Sequence, residues 1–474
     1  MSDNRLTPLD ASFLEVESPS AHMHVGWAAR FGKPHGRPTP SFEELRDHVA
    51  SRMSRAPRYR QKLAEVPMGI NDPVWVDDDE FDIARHVRHS PSPDFDELAD
   101  EVMSAQLDRD RPLWELWIAD QLPEGRIGVI GKAHHAMADG LAAVELATLF
   151  LDPTPEPPTP ERDGWRPASP PPGAKLLLDG LIDRAGEMVV VARWPLGLLR
   201  HPTRLIGVAT DGLQSVRALA DSLRAATPET GLNEPISPRR HLAHAHRPLA
   251  DLKRIKRRSD ATINDVVLAV ASGGVRRFFE RRGETPVKLK AMVPVSVRSG
   301  DGAGQFGNQI SFVFVDLPCD EPDPLQRLVD VKEEVGRRKR SGNPEGADRV
   351  LKAFGYAPHT VQRVLSHLVA SPRAFNLVVS NIPGPREPQY MLGCELEESY
   401  PVVPIADRHA LAIGFTTIKD EAFFGVYADR ESLPDADLLA ECLDESADEL
   451  LALDGEATIT ASRDRQPLAD PSPR

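Results

Sequence analysis

Two adjacent histidines, His134 and His135, are followed by Ala136-Met137-Ala138 and then by Asp139 and Gly140. Those residue types in that order suit one kind of chemistry. An alcohol is a poor nucleophile at neutral pH. A neutral imidazole, with an ordinary pKa of about 6.5, can take the hydroxyl proton as the oxygen attacks an activated carbonyl such as a thioester. The imidazolium so formed can then protonate the leaving thiolate. One histidine, His135, serves both half-steps, and no covalent acyl-enzyme is required. Gly140 permits close backbone approach where the chain turns into its next element. The same residues admit blander readings. A histidine pair with one aspartate differs from the HExxH spacing of zinc hydrolases and has no evident third ligand, so no metal is assigned. The two histidines could be core residues without chemistry. Asp139 could be a helix-start residue, which is compatible with catalysis by His135.

These side chains need a strand before them and a helix after them. Ile127 to Lys132 is a short apolar run of strand character that leads into His134. Beyond Gly140, Ala142 to Leu151 is apolar with good helix formers, which predicts a helix. Upstream, Trp114 to Ala119 alternates as a strand does, and Phe42–Met53 and Leu98–Leu107 have helical spacing. Downstream, Thr262–Ala271 predicts a buried helix. Lys288–Val297, Gln309–Leu317, Phe375–Ser380 and Leu411–Ile418 predict strands. Ala422–Ala428 is the hairpin partner of the last of these, and Asp435–Leu453 is an acidic helix. Strands and helices mix in both halves, so the expected class is α/β (α+β).

Proline removes backbone donors, and the segment from Pro153 to Pro172 is rich in it, so it reads as a surface linker. The expected organisation is an N-terminal lobe (1–152), a linker and amphipathic helical crossover (153–234), a C-terminal lobe (235–457) and a disordered tail (458–474). A chain of 474 residues fits two domains.

The net charge of -15 argues against a general nucleic-acid binder, which needs a basic face. A phosphate-bearing co-substrate would require a local basic patch. Cys319, Cys394 and Cys442 are far apart, which suits buried thiols in a reducing compartment rather than a disulfide framework. The opening residues Met1–Arg5 lack the basic-then-apolar form of a secretory signal. Apolar runs stop early, at Asp179 after Leu176–Leu178 and at Arg193 after Val189–Val191, whereas a spanning helix needs about 20 apolar residues. A cytoplasmic protein is expected. The amphipathic stretch Arg193–Arg200 reads first as part of a helical pair covering the protein body, with peripheral contact with the inner membrane face or lipid inclusions as the alternative.

The His134–Gly140 segment resembles the HHxxxDG motif of the bacterial wax ester synthase/diacylglycerol acyltransferases. The resemblance runs from about residue 6 to 453. It includes Leu6–Phe13 with Met23–Gly26, Arg111-Pro112-Leu113-Trp114, Asn264-Asp265, Val293–Arg298, Gly307-Asn308-Gln309, Ser380–Pro385, Ile405–Asp407 and Pro434–Ala436. The resemblance implies two chloramphenicol-acetyltransferase-like lobes of mixed sheet and helix with a tunnel between them. His135 would be the general base there, with His134 in support. Asp139 would be structural, with Arg298 as its partner. Pro112, Leu113 and Trp114 would line the substrate entrance, and Asn264, beside Asp265, would support the centre from the second lobe. Ser296, Ser380 and Asn381 are candidate oxyanion donors. No cofactor would be bound. Acyl-CoA would be the co-substrate and diacylglycerol or a fatty alcohol the acceptor, giving triacylglycerol or wax esters. Two alternatives stand beside this: a carrier-protein-dependent acyltransferase of natural-product assembly, and a non-catalytic lipid-droplet-binding protein.

Overall fold

The structure is a computed structural model and describes residues 5–34, 36–137, 150–159, 163–182, 227–228, 230–296, 310–340 and 371–453. Two six-stranded sheets organise it. The first contains β1 (His24–Phe31), β4 (Val87–His89), β5 (Trp114–Ala119) and β6 (Ile127–His134), joined by β11 (Tyr390–Met391) and β12 (Cys394–Val402), in the order β11-β12-β1-β6-β5-β4. The second contains β7 (Arg240–Pro248), β8 (Leu289–Ser296), β9 (Ile310–Leu317), β10 (Leu377–Asn381), β13 (Leu411–Ile418) and β14 (Glu421–Asp429), in the order β7-β14-β13-β10-β8-β9. A small hairpin of β2 (Gln61–Ala64) and β3 (Val74–Asp77) stands apart. The buried apolar residues of both sheets form one continuous core.

Local chemistry explains the helices. Thr7 caps α1 (Pro8–Val16) and exchanges hydrogen bonds with Asp10, and Pro8 occupies a first-turn position where no N–H is needed. Ser41 and Glu44 make the same box at α2 (Phe42–Ala50), which is followed by α3 (Ile83–His86). The predicted Phe42–Met53 helix ends early, because the Ser51 hydroxyl donates to the His48 carbonyl and Met53–Arg55 tightens into a 3-10 turn. The predicted Leu98–Leu107 helix is displaced: α4 runs Phe95–Ser104. Asp94 starts it by accepting from the Asp96 and Glu97 N–H groups. The buried Lys132 ammonium closes it by donating to the Val102 and Ala105 carbonyls, 2.8 and 2.7 Å away. In the second half, α5 (Leu249–Ser259) precedes α6 (Ile263–Arg281), capped by Thr262 with Asp265. These are followed by α7 (Pro324–Arg340) and α8 (Ala436–Ala452).

The predicted Trp114–Ala119 and Leu411–Ile418 strands have the observed bounds. Residues 173–182 are helical, and most of the Ala142–Leu151 helix lies outside the described residues. Strand β12 is the main departure. Its Glu395, Glu397 and Glu398 obscure its character in the sequence, yet it pairs antiparallel with β1, with Gly26 opposite Val402. Glu398 is held by Arg30 at 2.8 Å and Arg126 at 2.5 Å, so its charge is matched by the first sheet.

Strand β12 also packs on β13 and β14 of the second sheet. The contact is backbone-close. A Cβ at Gly425 would stand 2.2 Å from the Pro401 carbonyl oxygen, and one at Gly414, its partner across the hairpin, 2.9 Å from the same atom. Gly425→Ala must therefore part the sheets at this point. It should lower stability by about 1–3 kcal/mol in urea unfolding. Gly231→Ala, which meets nothing within 4 Å, should change it by less than about 0.5 kcal/mol. Equal midpoints for the two variants would show that the crossing is not tight.

Candidate active site

His134 is the last residue of β6 and lies opposite His24 of β1. Its N–H donates to the Leu113 carbonyl at 2.9 Å, on the β5 side. The His135 N–H donates to the Met23 carbonyl at 2.9 Å, on the β1 side. The pair is thus clamped between two neighbouring strands. The chain then turns. Met137 N–H donates to the His134 carbonyl at 2.9 Å, and Ala136 N–H donates to His134 Nδ1 at 3.0 Å.

The His135 ring is buried and stacks on Phe13 of α1, with centroids 3.8 Å apart and planes 9° from parallel. Removal from water disfavours the imidazolium, which outweighs a backbone hydrogen bond, and the neighbouring His134 adds to the effect. Together they lower the His135 pKa to about 4. The ring is therefore neutral at pH 7, the state that can accept a proton. His24, wholly buried, is held well below the ordinary value by burial and by Lys132. Glu17 ends α1 with its carboxylate 3.6 Å from His134 Nε2 and also paired with Arg109.

The other residues singled out from the sequence are placed unevenly. Leu113 and Trp114 are fully buried and Pro112 is buried. Leu113 supplies the carbonyl that holds His134. The Trp114 indole donates to the Tyr59 carbonyl at 2.8 Å and stacks on His86. Asp265 is a cap, accepting from the Thr262 N–H at 2.8 Å, and Asn264 is half-buried beside it. Neither bonds to the histidine pair among the described residues. Ser380 is buried on β10, whereas Asn381 is exposed. Ser296 ends β8, and its side chain is outside the described set, as are Asp139, Gly140 and Arg298. Phe13 and Glu17 were not picked out as site residues. The Thr7–Asp10 capping pattern marks their helix, but nothing in the sequence says what it packs against.

Among the described residues no group of three or more His, Cys, Asp and Glu side chains could hold a metal ion. Cys319, Cys394 and Cys442 are buried free thiols, and burial pushes Cys319 up to about 12.

The sequence matches the wax ester synthase/diacylglycerol acyltransferase catalytic domain over residues 6–267 and the C-terminal domain of the same family over residues 306–451. The chain belongs to the wax ester synthase/diacylglycerol acyltransferase family. It is an acyltransferase. It is 31% identical over 470 residues to the probable diacylglycerol O-acyltransferase tgs1 of Mycobacterium tuberculosis, covering 97% of this chain and 98% of that one. The fold is similar to the wax ester synthase/diacylglycerol acyltransferase of Marinobacter aquaeolei VT8, with a TM-score of 0.67, 23% identity and coverage of 94% and 98%. It is also similar to the starter condensation domain of rhizomide synthetase, with a TM-score of 0.58, 12% identity and coverage of 96% of each chain. The fold is the two-lobed mixed α/β arrangement of these acyltransferases.

Burial holds several imidazoles of this acyltransferase neutral, with His48, His135 and His409 each lowered to about 4. In the unfolded chain they titrate near 6.5, so between about pH 6.5 and 4 the unfolded state binds more protons than the folded one. Their contribution to stability is greatest above that window and is lost as pH falls through it. His241, raised by Asp100, acts in the opposite sense but is one group. The urea midpoint should therefore be flat above about pH 7 and fall steadily from about 6.5 towards 4. A midpoint that rose on acidification would show that these rings are protonated in the fold.

Proposed function

We propose that this acyltransferase moves a long-chain acyl group from acyl-CoA to a hydroxyl of diacylglycerol or of a fatty alcohol, with His135 as general base. The product is triacylglycerol or a wax ester, with free CoA released. One observation carries the reading: His135 is neutral, buried and stacked at the end of a central strand. The names of the tgs1 relative and of the Marinobacter enzyme support the substrate class.

In the reaction, the acceptor O–H proton passes to the His135 imidazole as the oxygen bonds to the thioester carbon. The C–S bond then breaks, and the imidazolium returns the proton to the thiolate. A site that excludes water favours transfer to the alcohol over hydrolysis. The reading gives Asp139 a structural role with Arg298 as its partner, both outside the described residues. No bound cofactor is needed.

Such substrates partition into lipid, and the reading includes a cytoplasmic enzyme working at a membrane face or lipid inclusion. No helix among the described residues is long and apolar enough to cross a membrane. Arg193–Arg200 lies outside the described residues. Support comes from an exposed apolar patch. Residues 173–182 pack on the turn at 66–70 and leave Leu178, Leu181 and Ile182 exposed, and Met68 at the turn is also exposed.

Purified protein supplied with palmitoyl-CoA and either dipalmitoylglycerol or hexadecanol should release thiol and form ester. His135→Ala should slow this by at least about 100-fold. Activity surviving in the variant would remove His135 as the base. Absence of thiol release with either acceptor would favour a carrier-bound donor. In parallel, the protein should sediment with anionic liposomes at low salt, and Leu178→Ser/Ile182→Ser should reduce the bound fraction. Failure of the wild type to sediment would end the peripheral reading.

A further inference from the structure

Both histidines of the motif lean on one short helix. Phe13 lies in the last turn of α1, and Glu17 is one turn further on, its N–H bonded to the Phe13 carbonyl at 3.2 Å. Phe13 stacks on His135, and the Glu17 carboxylate faces Nε2 of His134 at 3.6 Å. Neither contact is with the bulk surface, since the Glu17 side chain is only 7% exposed and that of His134 1%.

The proton on His134 can be placed from backbone geometry alone. A peptide N–H only donates. The acceptor of the Ala136 N–H, Nδ1 of His134, must therefore carry a lone pair. In the neutral ring the proton is then on Nε2, the nitrogen that faces Glu17. An acidic partner at that nitrogen favours this tautomer over the other.

We propose that Glu17 is a positioning residue for the reaction, holding His134 as the Nε2–H tautomer so that Nδ1 stays available to the Ala136 N–H and fixes the turn that carries His135. This rests on His135 being the base. Burial alone would raise the Glu17 carboxyl, but His134 and Arg109 together outweigh it and hold the carboxylate below its usual range, ionised at neutral pH. Phe13 fixes the His135 ring face while Glu17, through His134, fixes its backbone. A shift of this end of the helix would therefore disturb ring and backbone together. With glutamine at position 17, the side-chain amide can accept from Nε2–H or donate to a bare Nε2. The selection between tautomers is then lost. In the Nδ1–H form, two donors would confront one another at Ala136, and the turn would relax.

Full-length protein labelled with 15N-histidine gives the tautomer of each neutral imidazole by long-range proton–nitrogen correlation, with His134 assigned as the resonance missing from His134→Asn. The wild type should show the Nε2–H pattern for His134. Glu17→Gln should show the Nδ1–H form or a mixture, with kcat lowered by about tenfold and the acyl-CoA KM within about twofold of wild type. Glu17→Asp, which keeps the charge, should retain the Nε2–H pattern and recover part of kcat. An Nδ1–H pattern in the wild type would overturn the proposal without recourse to any variant. So would a Glu17→Gln protein with the wild-type pattern and wild-type kcat. His135→Ala separates this from the reading beneath it. Full activity in that variant, alongside the expected His134 spectra, would remove the base assignment and leave the tautomer lock standing.

Discussion

Strand β12 comes from the half of the chain that builds the second sheet yet belongs to the first, and most of the site's geometry hangs on that exchange. Pairing with β12 covers one edge of β1, and β6 covers the other. Strand β1 is thus a central strand, with nearly every side chain buried. The residue just before it, Met23, can then offer its carbonyl to His135 from a fixed position. The exchange is admitted by an absence. Gly414 and Gly425 leave room for the Pro401 backbone where larger residues would force the sheets apart. A long-range pairing of this kind carries a loop-closure cost that only the completed core offsets.

Other ties between the lobes are polar and buried. Arg240, buried against Asp429 of its own lobe at 3.4 Å, donates its backbone N–H to the Ser104 hydroxyl at the end of α4, 2.8 Å away. Asp100 of α4 accepts from the Leu242 N–H at 2.9 Å and lies 2.8 Å from His241 Nδ1. Such pairs add little net stability when intact, yet losing one partner costs about 3–5 kcal/mol because the other charge is left buried. They specify how the lobes meet more than how firmly. That suits a site whose parts come from separate segments: α1 supplies Phe13 and Glu17, and the end of β6 supplies the histidines.

The chemical logic of the site is one of enforced neutrality. An imidazole in water is partly protonated at pH 7, and the protonated fraction cannot act as a base. Burial at the strand end removes the charged form, and the stacked Phe13 ring keeps water from one face of His135. The cost falls on the surroundings, which must satisfy the backbone of the turn with internal hydrogen bonds. The four bonds of His134, His135, Ala136 and Met137 do this.

Much of this was legible in the sequence. Alternation placed β5 at its true bounds, because a half-buried strand carries a period of two, and the apolar run of β13, buried along most of its length, is also read at its observed bounds. The HHxxxDG pattern and its companions marked the family and the candidate base. Capping signals at Thr7, Ser41 and Thr262 mark helix starts. What the chain could not disclose alone was partnership. The acidic residues of β12 find their partners, Arg30 and Arg126, only in the folded chain. Trp114, likewise, meets the Tyr59 carbonyl and the His86 ring only there. Local order follows from propensity, periodicity and caps, which act over a few residues. The meeting of Glu17 with His134, the neutrality of His135 and the placing of β12 depend on groups up to hundreds of residues away. Only the tertiary structure, where desolvation and direct contact operate, decided those.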